Sequence, residues 1–426
     1  MTRTATPTSF LAPFGTRSFR FQWPADSCTA WALEMETLIL GWYVLVETGS
    51  VMMLTVFGAL QFVGTLAAPL LGTLGDRLGL RRVLATMRFA YAALAGVILL
   101  LTLTGRLNPA AVLVVAGLAG IIRPSDIGLR TALVGATVPA VHLMSAMGIA
   151  RTSMDSAKVA GALAGAGVVA SHGMAPAYAA ITAIHLAGAL LTLRVDSGRV
   201  ESAAVPALAA SVPARPSPWH ELREGLAVIW RTPQLLAAMS LAALVNLSAF
   251  PFTGGLMPYV AREVLALDQR GLGWLIAAFA GGALVGSLAM GALGGRFRPG
   301  RAMLGASLAW YGCLAGYVAS PTLAPALGCL VAAGIAQSTS MLALQMLLMR
   351  GAAAQLRGRV MGVRMLAIYP LPLGLLIAGA LIPRLGFLAT AALYLAVGVL
   401  LVGAIALAWR SALLAADAPG EARVTR

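Results

Sequence analysis

Charged side chains stand inside otherwise apolar stretches of this sequence, where they would be expensive to bury. Glu34 and Glu36 interrupt the first such stretch. A carboxylate beside an arginine can gain or lose a proton when its partner moves. An ionisable group at bilayer depth therefore indicates a functional site. The candidates for reversible proton binding or for contact with a polar solute are Glu34, Glu36, Arg123, Asp126, Asp155, Lys158, Asn246, Gln337 and Gln345.

The spacing of the first four residues decides which of them can meet. Glu34 and Glu36 are two positions apart, about 200° around a helix, so their carboxylates cannot share a face. Arg123, Asp126 and Arg130 recur at i, i+3 and i+7 and form one stripe. Glu36 and Arg123 fall near the midpoints of their stretches, which run in opposite directions.

A second stripe is formed by Arg151, Asp155 and Lys158 at i, i+4 and i+7. Both stripes should face protein or water rather than lipid. One hypothesis is a solute path lined by these groups. The alternative is a structural network of ion pairs that holds the helices together, and the sequence leaves both open.

Composition places most of the chain in a membrane. Of its 426 residues, 59% are hydrophobic and 11% are charged, whereas soluble domains carry roughly 25% charged residues. The net charge of +15 comes from arginines in short loops, which indicates a membrane surface rather than nucleic acid. We therefore expect the lipid bilayer as a partner and no nucleic acid.

Twelve apolar stretches are long enough to span a bilayer. They are predicted at 27–48, 52–74, 83–104, 109–129, 143–170, 174–193, 234–259, 271–294, 302–320, 323–348, 360–383 and 386–409. Most arginines, Arg88 among them, fall on the side that also holds both ends of the chain. Both termini should then be cytoplasmic, in a bacterial inner membrane.

A polar, proline-containing stretch divides the spans into two sets of six. The predicted organisation is a tail (1–26), a six-helix bundle (27–194), a linker with an amphipathic helix (195–233), a second six-helix bundle (234–410) and a second tail (411–426). The fold class is thus an all-α membrane protein with 12 transmembrane helices in two pseudo-repeats.

The residues that enzymes and metal sites need are missing from the sequence. It has no glycine-rich phosphate loop, no nucleophile elbow and no cluster of metal ligands. Its three cysteines lack the spacing of a metal site. We expect no enzyme activity, no cofactor and no metal.

One short charged hairpin follows the second predicted span. It reads Gly-Thr-Leu-Gly-Asp-Arg-Leu-Gly-Leu-Arg-Arg over 72–82. This segment resembles motif A of the major facilitator superfamily, which implies a two-bundle transporter fold. The matching positions are Gly72, Asp76, Arg77, Gly79, Arg81 and Arg82. In that family the first and fourth helices line the central cavity, so the resemblance implies a polar cluster of Glu34 or Glu36 with Arg123 and Asp126. Arg123 would lie where motif B places a membrane arginine, often tied to proton coupling.

The first half also resembles one branch of that superfamily, the exporters of drugs and siderophores related to the enterobactin and macrolide exporters. The resemblance lies in Glu47–Ser50 and in Arg151 leading into a glycine-rich helix. It implies a monomeric exporter of a small organic molecule, driven by proton antiport and alternating access, with a part in multidrug resistance or siderophore export. The alternatives are a proton-coupled uptake symporter and a membrane receptor that transports nothing.

Overall fold

The computed structural model describes residues 11–65, 78–196, 218–293, 298–353 and 356–417. Throughout these ranges the regular structure is helical. The first half contains α1 (Arg17–Thr48), α2 (Val51–Leu60), α3 (Leu80–Leu103), α4 (Pro109–Thr137), α5 (Ala140–His172) and α6 (Met174–Leu193). The second contains α7 (Pro218–Arg231), α8 (Pro233–Ser248), α9 (Gln269–Leu293), α10 (Pro299–Val318), α11 (Leu323–Gly351), α12 (Arg357–Arg364), α13 (Pro370–Leu385), α14 (Phe387–Ala408) and α15 (Arg410–Ala416).

Long apolar helices dominate this architecture, as expected for a membrane protein. Within the described ranges, eight helices are long and apolar enough to cross a membrane. A ninth span results if α7 and α8, which are bent by 109° at their junction, are taken together. The charge-bearing α5 is not among the eight, although it is 33 residues long. The count of twelve spans therefore stays a prediction.

The first helix begins ten residues before the predicted span, so the assignment of 1–26 as a tail needs correction. Helix α1 starts at Arg17 and includes Phe19, Gln22 and Asp26, all of them buried. The segment looked like a tail because Met1 to Arg20 is polar and contains prolines. The polar groups of Gln22 and Asp26 are instead satisfied by other helices of the same bundle.

The predicted C-terminal tail also begins with ordered structure. Helix α15 continues to Ala416, and Asp417 follows it. The Asp417 carboxylate accepts hydrogen bonds from the backbone N–H groups of Gly300 (2.7 Å) and Arg301 (3.1 Å). A carboxylate there stabilises the free N–H groups and positive dipole end of α10. The end of α15 is therefore anchored.

The chain separates into two compact units, but not at the predicted boundary alone. One unit comprises Met1–Gly49 and Leu60–Arg215, and the other comprises Ser50–Ala59 and Pro216–Arg426. Most of α2 thus groups with the second unit, whereas we predicted it in the first bundle. The cause is close packing, because Gly379 leaves just enough room for the Thr55 side chain and a Cβ atom there would overlap its hydroxyl.

Prolines mark breaks in the second unit. The helical segment after α8 is divided into short pieces, Phe250–Thr253, Met257–Tyr259 and a π-turn at Val260–Val264. Pro251 and Pro258 lie in the first two pieces. Pro370 begins α13 after a 3₁₀ turn. A proline lacks the N–H group that would continue the helix, which explains each break.

Helix α7 packs against α12 within the second unit. Arg359 donates to the Glu224 carboxylate at 2.5 Å. Beside this pair, a Cβ atom on Gly225 would come within 2.8 Å of Val363 and 2.9 Å of the Arg359 carbonyl oxygen. Only a glycine lets the two helices approach this closely.

Candidate functional site

Close helix packing brings the polar residues of the first unit together. Helix α5 approaches α1 through two glycines. A Cβ atom on Gly161 would lie 3.0 Å from the Cβ atom of Glu34, and one on Gly165 would lie 3.1 Å from the Cα atom of Met35. Helix α6 approaches α1 in the same way, at Gly188. Small residues allow such contacts between membrane helices, and here they fix the position of α1.

Arg123 lies at the centre of the first polar group. Its Nη1 atom donates to Gln61 Oε1 at 2.5 Å and to Thr37 Oγ1 at 3.3 Å. Its Nη2 atom lies 3.7 Å from Glu34 Oε1, an ion-pair distance without a hydrogen bond. The side chains of Arg123 and Glu34 remain 26% and 23% exposed. We call Arg123, Gln61, Thr37 and Glu34 the arginine cluster.

Gln61 reaches Arg123 because the end of α2 touches α4 backbone to backbone. A Cβ atom on Gly120 would overlap the carbonyl oxygen of Leu60, and one on Gly64 would overlap that of Ile121. These two glycines therefore let the segment from Leu60 to Gly64 lie directly against the backbone of α4. The amide of Gln61 is held against the guanidinium as a result.

Glu36 has a different partner, on the opposite side of α1. Its Oε2 atom lies 3.3 Å from His185 Nε2 on α6. His185 is fully buried, whereas the Glu36 side chain is 14% exposed. The imidazole stacks on the ring of Tyr91, with a centroid distance of 5.5 Å and an interplanar angle of 28°. The two carboxylates of α1 therefore serve two separate groups of residues.

Asp126 does not join Arg123, which corrects the predicted cluster. Its carboxylate is fully buried and lies 3.4 Å from Arg130 Nη2 and 3.8 Å from Arg88 Nε. Arg88 also forms an ion pair with Asp26 on α1. The residues of this buried ionic network come from α1, α3 and α4, and its formal charges balance. Residue spacing predicted the stripe on α4. It did not predict that Arg123 contacts the arginine cluster whereas Asp126 and Arg130 belong to the buried ionic network.

Two further hydrogen bonds tie the buried ionic network to the bundle. Arg88 Nη1 donates to Thr192 Oγ1 of α6 at 2.5 Å. Gln22 Nε2 donates to the Arg130 carbonyl oxygen at 2.9 Å. Four helices thus meet at Arg88.

The stripe on α5 is divided between a pair and an exposed lysine. Arg151 Nε lies 3.0 Å from Asp155 Oδ2. The Asp155 side chain is almost buried, and that of Arg151 is 71% exposed. Lys158 is exposed. No hydrogen bond or ion pair connects these three residues to the arginine cluster within the described ranges.

The polar candidates of the second unit do not form one group. Asn246 Nδ2 donates to the carbonyl oxygen of Ala242, one turn earlier in its own helix. Gln337 and Gln345 are half-buried on α11. The serine contacts Ser307–Ser340 (2.7 Å) and Ser248–Tyr311 (2.6 Å) join neighbouring helices instead.

The charged hairpin is only partly within the described residues, since Gly72, Asp76 and Arg77 lie outside them. Gly79 has a φ of 90°, which favours glycine, and it precedes α3. Arg81 Nη1 donates to the Val195 carbonyl oxygen at 3.1 Å, just after α6. Arg82 is exposed.

Sequence reasoning missed five residues that the structure brings into these groups. They are Asp26, Thr37, Gln61, Arg88 and His185. The count of arginines placed Arg88 at the cytoplasmic membrane surface. Its position inside the predicted span 83–104 was the signal that could have shown it to be buried. His185 and Gln61 also fall inside predicted spans, as polar residues without formal charge. Among the described residues, no group of three or more potential ligands could hold a metal ion.

Known proteins resemble this chain in fold. No curated protein matches its sequence significantly. The solved structure of the nucleoside transporter NupG is similar, with 15% identity, a TM-score of 0.66, and coverage of 92% of this chain and 98% of that one. A bacterial homologue of the human lysosomal transporter Spinster, inward-facing and unoccupied, is 13% identical with a TM-score of 0.69, and the match covers 94% of this chain and 98% of that one. A POT family transporter in complex with a thioalcohol-conjugated peptide is 12% identical with a TM-score of 0.67, and the match covers 93% of this chain and 96% of that one.

Identities this low establish the fold and leave the cargo open. The sequence model of the Major Facilitator Superfamily matches residues 27–369, which is most of the chain. Helical architecture, apolar spans and family model agree. The chain therefore belongs to the major facilitator superfamily.

Proposed function

We propose that this protein is a secondary active transporter that exports a small organic molecule, siderophore-like or drug-like, in exchange for protons. The superfamily and its fold support transport. The direction of transport rests on the resemblance of the first half to the exporter branch. The protein would act as a monomer in the bacterial inner membrane, with both termini in the cytoplasm and alternating access between the two faces.

The arginine cluster is the observation that carries this proposal. Arg123 and Glu34 lie well inside α4 and α1, and about a quarter of each side chain is exposed. An ion pair in that position is costly unless it contacts water or a solute. Arg123 lies farther from the Glu34 carboxylate (3.7 Å) than from the Gln61 amide oxygen (2.5 Å). Glu34 can therefore separate from Arg123 without breaking a hydrogen bond.

Transport in inverted membrane vesicles tests the proposal. The vesicles contain the full-length chain and are energised by a pH gradient alone. The probes are a fluorescent lipophilic cation and a radiolabelled catecholate siderophore. We expect gradient-driven accumulation of at least one probe, lost in Arg123→Ala and kept in the control Arg106→Gln, whose residue is exposed in a loop.

The same assay separates the alternatives. Movement of a probe with the protons, in the uptake direction, would replace export by symport. Absence of any exchange by the protein, with either probe or with a wider panel of small metabolites, would favour the receptor.

A further inference from the structure

His185 is a buried titratable group that the proposed transport mechanism has not yet used. Its side chain has no solvent exposure. Its Nε2 atom faces Glu36 at 3.3 Å, and its Nδ1 atom has no hydrogen-bond partner among the described residues. A buried imidazole with a single polar partner depends on that partner for its charge state.

We propose that Glu36 and His185 together bind the proton that drives transport. This proposal deepens the proposed function and rests on it. In the empty state, neutral His185 donates the N–H of Nε2 to the Glu36 carboxylate, and the pair carries one negative charge. A proton from water reaches the partly exposed Glu36 and neutralises the pair. Release of that proton to water restores the negative charge, so the pair exchanges one proton in each cycle.

Neutralisation of the pair matters because of where the imidazole lies. An uncompensated charge in a buried site is costly, and an opposite charge in contact reduces that cost. The proton is shared by the two groups, because they are in direct contact. Glu36 supplies access to water, and His185 supplies a buried partner that keeps the proton within the bundle.

The helices packed around the pair carry other charged or titratable residues. They include Asp26 and Glu34 on α1, Arg88 and Tyr91 on α3, Arg123, Asp126 and Arg130 on α4, Arg151, Asp155 and Lys158 on α5, and Tyr178 on α6. Most of the charged ones are paired with each other, in the arginine cluster, in the buried ionic network or on α5. Tyr91 contacts the imidazole through its ring face. In the described ranges, Glu36 is the one ionic partner of His185.

The Glu36–His185 pair and the arginine cluster are linked through the same short segment of α1. Glu36 and Glu34 are two residues apart on α1, and one faces α6 whereas the other faces α4. Both helices hold α1 through close contacts, at Gly188 for α6 and through the ion pair for α4. A change in the Glu36–His185 contact therefore acts on the same short segment that positions Glu34.

Nuclear magnetic resonance of histidine tests the proton site without a substrate. The full-length protein, labelled with ¹⁵N-histidine, is reconstituted in lipid nanodiscs. The chain has four histidines, and His185→Gln assigns one signal. We expect the ¹⁵N signal of His185 Nε2 to show a hydrogen bond to a carboxylate in the wild type. In Glu36→Gln that signal should move, because the carboxylate that accepts from Nε2 is gone.

Glu34→Gln is the matched control, since it removes a carboxylate from the same helix but from the other face. It should leave the Nε2 signal of His185 unchanged. The proposal is overturned if Glu36→Gln leaves that signal unchanged, or if Glu36→Gln and Glu34→Gln change it equally.

The vesicle assay then separates this proposal from the proposed function. In His185→Gln, the pH gradient should no longer drive accumulation of the transported probe, while exchange of that probe across the membrane continues. His172→Gln, at an exposed histidine, should behave like the wild type. Retained gradient-driven accumulation in His185→Gln would overturn the proton site and leave transport intact. Absence of gradient-driven transport in the wild type would overturn the proposed function itself.

Discussion

Arg88 Nε lies 3.8 Å from Asp126 Oδ1, although the two residues belong to different helices and expose almost none of their side chains. The same guanidinium forms an ion pair with Asp26 and a hydrogen bond with Thr192. An arginine presents several N–H donors in a fixed plane, which suits it to join several helices. The buried ionic network is thus a junction of α1, α3, α4 and α6.

Replacement of Arg88 should destabilise the first unit severely. Arg88→Gln leaves two buried carboxylates with Arg130 as their remaining charged partner in this network. Removal of one partner from a buried ion pair costs about 3–5 kcal/mol. Thermal unfolding of the purified protein in detergent should therefore show a clearly lower midpoint.

Two further variants show whether the loss comes from unpaired charge. Arg106→Gln removes an exposed arginine and should leave the unfolding midpoint nearly unchanged. Arg88→Gln combined with Asp26→Asn should recover part of the stability, since one unpaired carboxylate is gone. Equal midpoints for the wild type and Arg88→Gln would contradict a stabilising role for the network.

Gly120→Ala should disrupt the arginine cluster without touching any of its side chains. The new methyl group would overlap the Leu60 carbonyl oxygen, so the end of α2 must move away from α4. Loss of the Gln61 hydrogen bond should follow, and we expect gradient-driven transport to fall by about tenfold or more. Gly128→Ala on the same helix has open space around it. It should transport like the wild type, and a similar decline in both variants would argue against this explanation.

Arg123→Lys should retain the positive charge but lose part of the function. An ammonium group is a compact charge on a flexible chain and cannot reproduce the planar arrangement that reaches Gln61, Thr37 and Glu34. One hydrogen bond to a charged group contributes about 1.5–3 kcal/mol. We therefore expect transport efficiency, measured as initial rate against probe concentration, to fall by about ten- to a hundredfold. An unchanged rate would show that charge alone suffices.

Gly225→Leu should separate α7 from α12. The larger side chain has no space between Val363 and the Arg359 backbone. Limited proteolysis of the folded protein should then cut near α7 several times faster than in the wild type. Glu224→Gln should have little effect, because a partly exposed ion pair contributes roughly 0–1 kcal/mol. Gly358→Ala, with no neighbouring atom within 4 Å, is the control for a glycine replacement.

Apolar length was sufficient to predict the helical class and the positions of most helices. The predicted spans 83–104 and 174–193, for example, match α3 and α6 to within three residues. Charge patterns were less informative about depth. Arg88 lies only six residues beyond the arginines of a loop, so counting charges assigned it to the membrane surface, although it faces Asp26 in the bundle.

Partners on distant helices explain what the sequence could not reveal about the candidate site. Opposite directions for Glu34 and Glu36 followed from helix geometry. That Glu36 meets His185, 149 residues away, depends on how α1 and α6 cross. The crossing is determined by Gly188 and by side-chain packing. Neither produces a repeating sequence pattern from which the contact between the two helices could be predicted.

The packing of Thr55 against Gly379 has a consequence for how the protein is made. These residues are separated by most of the chain, yet α2 is synthesised near the beginning. During translation, the segment Ser50–Ala59 is made long before α13, so the space at Gly379 into which Thr55 packs does not yet exist. The final packing of this segment thus depends on translation being nearly complete. In a fragment that ends in the linker, the segment would lack α13, the helix against which it packs.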